Sequence, residues 1–250
     1  MALQKCENEA PRTSLVIVVP AYNAESTLAQ TLGRFPESLE IHRIVVVNDG
    51  SRDGTATLLR QLALGDARIE ILELPVNRGY GGAMKCGLVR ARALDADVVA
   101  CVHADGQYAP EELPRLVQKL LGRDLDLLQG SRHAAGMALT GGMPLYKYAA
   151  GKVLCALERR VFGLDMTDFH SGYLLYGRRA LNIIPFEGLS ESFDFDLEII
   201  ASAHGLGLAV GEEPIPTHYG DERSHLRPVA YGIRVLRVMA SYLVGHYRAA

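Results

Sequence analysis

Short apolar runs rich in β-branched residues recur through the first half of the chain: SLVIVV (14–19), RIVVV (43–47), RIEILEL (68–74), ADVVACV (96–102) and LDLLQG (125–130). Between them lie stretches with helical spacing, STLAQTLGRF, GTATLLRQLAL, GGAMKCGLVRARAL and PEELPRLVQKLL. Strands alternating with helices predict an α/β protein with a mostly parallel sheet and helices on both faces. Such sheets bind ligands beyond the carboxyl ends of their strands. The segments that follow the runs are therefore the candidates for chemistry: PAYNAE, NDGSRDGT, PVNRGYGG, HADGQ and GSRH.

After residue 131 the rhythm breaks. A Gly/Met/Ala loop (134–144) leads to a predicted helix near 145–162, then DFHSGYLLYGRRAL, a helix around 194–204 and a strand near 207–213. From Val229 to Tyr247 an apolar stripe runs through Ile233, Leu236, Ala240, Leu243, Val244 and Tyr247, with Arg227, Arg234 and Arg248 near the opposite face. A helix packed on the core is the default reading of that pattern, and a helix lying on an anionic membrane has the same signature. With no repeat or linker, the chain reads as one domain with a divergent second half.

Composition narrows the class. At 250 residues, 48% hydrophobic and 22% charged, the chain can bury a sizeable core and is not disordered. A net charge of −3 gives no reason to expect nucleic acid as a partner. The N-terminus, MALQKCENEAPRT, is polar and is no signal peptide, and no stretch approaches the roughly 18 apolar residues of a membrane span. Cys6, Cys86, Cys101 and Cys155 are too scattered for a metal pair, and free thiols are expected. These features together predict a cytoplasmic protein.

Within HADGQ, Asp105 at a strand end suits a hard divalent cation bridging to diphosphate oxygens, and Gln107 offers a neutral oxygen. His103 reads equally as a ligand or as a hydrogen-bonded histidine inside the sheet. Asp49 can accept from a nucleobase or ribose, or cap a turn, and capping is the expectation for Asp53. Gly79, Gly81 and Gly82 do not form the dinucleotide fingerprint; the expectation is that they let backbone approach a ligand, with Arg78 or Lys85 near its phosphates. Ser131 and Arg132 follow the fifth run, where an arginine could hold a phosphate through two parallel bonds. On the helix near 194–204, Asp194 and Glu198 share a face while Asp196 points elsewhere; one of them could be a general base. The loop THYGDERSHLRP, with Arg223 and Ser224, could order over a phosphate or be an ordinary polar loop.

Taken in order, VVPAYNAE, VVVNDGSRDGT, NRGYGGA, HADGQYAPEEL, GSR and DFHSGYLLYGRRAL resemble the family 2 glycosyltransferases of GT-A fold, and within them the dolichyl- and polyprenyl-phosphate sugar transferases. The likeness runs from about Leu15 to Leu226. It implies a nucleotide-sugar-binding half at 14–131, an acceptor-side half at 132–228 and a C-terminal amphipathic helix at 229–250. It implies an inverting transfer from a GDP- or UDP-linked sugar, with Pro20, Ala21, Tyr22, Glu25, Asp49, Arg78, Lys85, Ala104 and Asp105 on the donor. His103, Asp105 and Gln107 take the places of the branch's Asp-x-Asp-x-Gln motif for Mg2+ or Mn2+. Ser131, Arg132, Arg223 and Ser224 would meet acceptor or donor phosphates. A polyprenyl-phosphate acceptor needs no protein base, whereas a sugar hydroxyl would need one, with Asp196 or Asp194 as candidates.

One position departs from the pattern: His103 stands where the branch has its first aspartate, and imidazole suits manganese or zinc better than magnesium. The resemblance also implies work at the inner face of a membrane. That could be as a peripheral enzyme, as a homo-oligomer or with a separate membrane partner. Transfer to a glycan hydroxyl, and a module that binds nucleotide-sugar without turnover, are the competing readings.

Overall fold

The structure, a computed structural model, describes residues 13–134, 145–216 and 228–248. Seven strands form one sheet: β1 (Leu15–Ala21), β2 (Ile41–Asn48), β3 (Ile69–Glu73), β4 (Val98–Cys101), β5 (Leu127–Ser131), β6 (Leu174–Gly177) and β7 (Val210–Pro214), in the order β3-β2-β1-β4-β6-β5-β7. The five predicted runs are the first five strands, and the run near 207–213 is β7. Sequence pattern missed β6: its four residues, LLYG, are too few to display a period, and it lies antiparallel between β4 and β5.

Period-2 alternation builds two cores. Leu15, Ile17, Val19, Ile44 and Val46 face one side of the sheet, against α1 (Leu28–Gly33), α2 (Thr55–Gly65) and α4 (Leu113–Gly122). Val16, Val18, Val45 and Val47 face the other. There they meet α3 (Tyr80–Ala93), α5 (Leu145–Phe162), α6 (Arg178–Ile183), α7 (Phe195–Gly205) and α8 (Pro228–Leu243). Strands buried on both faces explain why the runs are continuously apolar rather than alternating.

The stripe expected to pack α8 onto the core faces the other way. Val235, Val238, Met239 and Tyr242 are the buried positions of α8, whereas Ile233, Leu236, Leu243 and Val244 are exposed; of the expected stripe, Tyr247 is buried. The helix is apolar on two faces, so periodicity alone could not say which of them the core would take.

Candidate active site

Because β2 and β3 extend to one side of β1 and β4 to the other, the strand order reverses between β1 and β4. Open α/β sheets bind ligands at such a switch point. The two strands are parallel with Val18 opposite Cys101, so PAYNAE and HADGQ leave the sheet side by side. Pro20 and Ala21 end β1 opposite Val47 and Asn48, and Tyr22 beyond them is exposed.

The two loops after β1 and β2 are laced together. The Ala24 amide donates to Thr55 Oγ1 (2.9 Å), the Gly54 amide to Glu25 (2.9 Å), and Thr55 to Asp53, which lies one residue before the N-cap, Gly54, and accepts the first amide of α2. Asp49 is buried and accepts the Arg78 and Gly79 amides, at 2.7 and 2.9 Å. Burial raises its pKa, and the two amide bonds oppose that shift. In this arrangement the carboxylate is held by backbone amides at the start of α3. A cleft beside it is lined by Asn48, Gly50, Ser51, Glu73, Val76 and Asn77. None of His103, Asp105, Arg132 or Asp196 borders that cleft.

The glycine cluster allows a close approach of protein backbone. A Cβ on Gly79 would lie 2.5 Å from the Glu191 carbonyl oxygen, and one on Gly81 would collide with that of Ser190. These glycines let the start of α3 approach the backbone at 190–191, and Gly79 also needs its φ of 83°. Lys85 is buried and donates to the Leu189 carbonyl, while Arg78 pairs with Glu191. Both cations bond the 189–191 segment.

β4 stops at Cys101, and α1 braces the HADGQ loop. Thr31 Oγ1 donates to the Ala104 carbonyl (3.3 Å), and Arg34 donates to the Gly106 carbonyl (3.2 Å) and pairs with Glu111. Buried Val102 and Ala104 belong to the α1/α4 side of the core, so His103 faces the α3/α7 side, where it meets Tyr80. Asp105 Oδ1 accepts the Gln107 amide at 3.0 Å, closing a turn. The ring of His103 lies 5.2 Å from that of Tyr80 and edge-on to Tyr108, and burial pushes its pKa down. Among the described residues, no three of His, Cys, Asp and Glu converge to cage a metal. A carboxylate and an amide oxygen on a braced turn instead fit a cation whose remaining ligands are water and substrate diphosphate.

At the end of β5, Ser131 is buried, bonds Thr167 Oγ1 (2.8 Å) and accepts the His133 and Ala134 amides. These bonds shape the turn after β5. Arg132 makes a two-point pair with Asp168, Nε to Oδ2 at 2.7 Å and Nη2 to Oδ1 at 2.9 Å. Burial would raise the Asp168 pKa, but the Arg132 charge and bonds outweigh it and hold it at about 2. Glu212 accepts the Thr167 and Asp168 amides behind the pair.

α7 behaves as its spacing predicts. Asp194 and Glu198 both turn to Ser190, accepting its hydroxyl (3.0 Å) and its amide (2.5 Å), while Asp196 points into the sheet side. Asp196 accepts from the Tyr80 hydroxyl at 2.8 Å, and burial raises its pKa to about 7. A second buried group joins α5 and α8: His170 Nε2 lies 2.8 Å from Glu158, and its Nδ1 lies 2.7 Å from the Tyr231 hydroxyl. Asp168, Tyr80 and Glu158 escaped the sequence reading because their partners are far away in the chain. Only the DFHSGY motif marked the Asp168 neighbourhood. Arg223 and Ser224 lie outside the described residues.

This sheet order, with an acidic turn after β4 at the switch point, defines a nucleotide-sugar transferase architecture of GT-A type. The chain belongs to glycosyl transferase family 2, whose family model matches residues 16–184. It is 30% identical to the polyprenol monophosphomannose synthase of Mycolicibacterium smegmatis, over 82% of this chain and 77% of that one. It is 38% identical to an undecaprenyl-phosphate 4-deoxy-4-formamido-L-arabinose transferase of Pseudomonas fluorescens, over 91% of this chain and 63% of that one. In fold it is similar to the glucosyl-3-phosphoglycerate synthase of Mycobacterium tuberculosis, solved with Mn2+, UDP and glucosyl-3-phosphoglycerate: TM-score 0.66, 18% identity, covering 95% of this chain and 81% of that one.

Proposed function

We propose that this glycosyltransferase moves a sugar from a nucleotide diphosphate to a polyprenyl-phosphate acceptor, with inversion at the anomeric carbon. The observation that carries the donor side is the braced Asp105–Gln107 turn at the β1/β4 switch point. The acceptor follows from the activities that the polyprenol- and undecaprenyl-phosphate relatives are named for.

An acceptor phosphate oxygen attacks the anomeric carbon as the bond to the donor's diphosphate breaks, and that bonding pair leaves on the diphosphate. Asp105 and Gln107 would hold a divalent cation, Mg2+ or Mn2+, which would supply positive charge for the leaving group. Arg132, set in its plane by Asp168, is the assigned partner of the anionic acceptor phosphate. A phosphate is already ionised near neutral pH and asks for no proton acceptor.

Transfer to a sugar hydroxyl has one observation in its favour, the near-neutral pKa of Asp196. Its burial and its bond to Tyr80 weigh against that role.

Among the described residues, no helix is long and apolar enough to cross a membrane. The outward apolar stripe of α8 supports a peripheral seat on the bilayer that holds the acceptor.

Calorimetric titration of UDP- and GDP-sugars, with Mn2+, with Mg2+ and with chelator, tests the donor site. Cation-dependent binding of one nucleotide, lost in Asp105→Asn, is expected. Binding indifferent to cation would remove the assigned role of the 103–107 segment.

A further inference from the structure

Tyr80 sits between two residues that the sequence keeps far apart. Its hydroxyl donates to Asp196 Oδ2 at 2.8 Å, and His103 Nε2 lies 3.3 Å from the same hydroxyl oxygen. The three side chains come from α3, α7 and the segment after β4. Asp196 is 6% exposed, and its Oδ1 has no hydrogen-bond partner, so Oδ2 carries the bonding of this carboxylate.

The direction of the chain follows from proton counting. Above about pH 7 the Asp196 carboxylate is ionised and only accepts, so the single hydroxyl proton of Tyr80 is committed to it. The tyrosine oxygen then offers lone pairs alone, and an imidazole nitrogen facing it must be the one that bears hydrogen. Packing fixes the ring in this pose. Tyr108 meets it edge-on, and Gly172, at φ +73°, brings its backbone so close that a Cβ there would lie 2.8 Å from both Cε1 and Nε2.

We propose that Tyr80 and Asp196 are positioning residues that hold His103 as the Nε2–H tautomer, leaving the lone pair of Nδ1 as an acceptor for a ligand of the 103–107 segment. Histidines that serve as ligands are commonly fixed in this way, through a carboxylate behind the other nitrogen. Here a tyrosine relays the carboxylate. The functional consequence rests on the reading of 103–107 as the cation and diphosphate segment; the tautomer itself does not.

The test is nitrogen NMR of the full chain with 15N-labelled histidine, without ligand, at pH 8.5, where Asp196 is ionised. The His103 signals are assigned through His103→Gln. The wild type is expected to show a protonated Nε2 and an unprotonated Nδ1. In Tyr80→Phe, which removes one oxygen, the two signals should move toward each other as the tautomers mix. In Asp196→Leu the hydroxyl proton of Tyr80 turns to Nε2, and the ring should carry its proton on Nδ1 instead. A wild-type ring protonated on Nδ1 overturns the proposal, as does a Tyr80→Phe spectrum identical to wild type. If Asp196→Leu does not fold, Tyr80→Phe decides the question alone.

Mn2+ affinity with UDP present should fall by about tenfold or more in Tyr80→Phe, the usual scale for a group behind a ligand. An unchanged affinity would overturn the functional consequence. If Asp105→Asn keeps cation-dependent donor binding, the donor-site reading fails, while the tautomer pattern still decides this proposal.

Discussion

Arg132 and Asp168 stand 36 residues apart in sequence and meet through two parallel hydrogen bonds, with the Arg132 amide also donating to the same carboxylate at 3.2 Å. Asp168 is 3% exposed, so the guanidinium is the counter-charge that lets a carboxylate remain ionised there. The pair also ties the end of β5 to the loop that leads into β6.

Removing the carboxylate takes the two-point partner from a mostly buried arginine. Asp168→Ala is expected to lose about 3–5 kcal/mol of stability in urea titration. The folded pKa of about 2 lies below the ordinary value, so this contribution is complete above about pH 4 and disappears as pH falls through 2. Asp168→Asn should therefore flatten the acid limb of stability against pH between about 4 and 2. Its kcat should fall by about 100-fold, since the Arg132 plane would no longer be set. A variant with the wild-type acid limb and wild-type kcat would refute both roles.

Asp196 has the opposite sign. Its folded pKa of about 7 is above the unfolded value, so the native state binds the extra proton. Stability from this group is complete below about pH 4 and is lost as pH rises from 4 through 7, by an amount on the order of a few kcal/mol. Asp196→Asn should be more stable than wild type at pH 8 and no more stable at pH 4, read as Tm at each pH. The amide can still accept from Tyr80, so transfer to polyprenyl phosphate should persist within about tenfold. A loss of several orders of magnitude, with a wild-type rate rising through pH 7, would establish Asp196 as a base and favour a hydroxyl acceptor.

The 189–191 segment gathers more of the site than its sequence, LSE, suggests. Leu189 accepts from Lys85, Ser190 holds Asp194 and Glu198, and Glu191 pairs with Arg78. Gly81 is what allows α3 to lie this close. Gly81→Ala should cost about 1–3 kcal/mol by forcing these backbones apart. It should also raise KM for the donor, because Asp49 and the amides of Arg78 and Gly79 would shift together. Substitution at Gly33, where a Cβ meets nothing within 4 Å, is the control.

Much of the first half of the chain was legible in the sequence because its information is local. β-branched runs gave β1 to β5, and the bond from Asp53 to the first amide of α2 needed only its own neighbours. The opposed bearings of Asp196 and of Asp194 with Glu198 came from helical spacing alone. What stayed hidden depends on partners distant in the chain. No local pattern reveals that Lys85 bonds Leu189 and that Arg78 pairs with Glu191. β6 pairs antiparallel inside an otherwise parallel beat, and Asp168 gains its meaning from Arg132. The glycines of NRGYGG read as permissive, and the backbone they let approach at 190–191 is distant in the chain.

The outward stripe of α8 gives the last prediction. Val244 is 84% exposed and Leu236 56%, with Ile233 and Leu243 on the same side and Arg237 exposed beside them. The opposite side is already satisfied by the core through Val235, Val238 and Tyr242. Among the described residues nothing covers this second apolar face, whereas an anionic bilayer carrying the acceptor would. Burying one such side chain is worth about 1.5–3 kcal/mol, or roughly tenfold or more in partitioning. Ile233→Asp with Leu236→Asp should therefore lower co-sedimentation with phosphatidylglycerol vesicles by about 100-fold, at an unchanged Tm and unchanged nucleotide affinity. Val238→Asp, on the buried side, should instead lower Tm. If the double variant sediments with vesicles as the wild type does, α8 is not the membrane contact, and its stripe belongs to another protein surface.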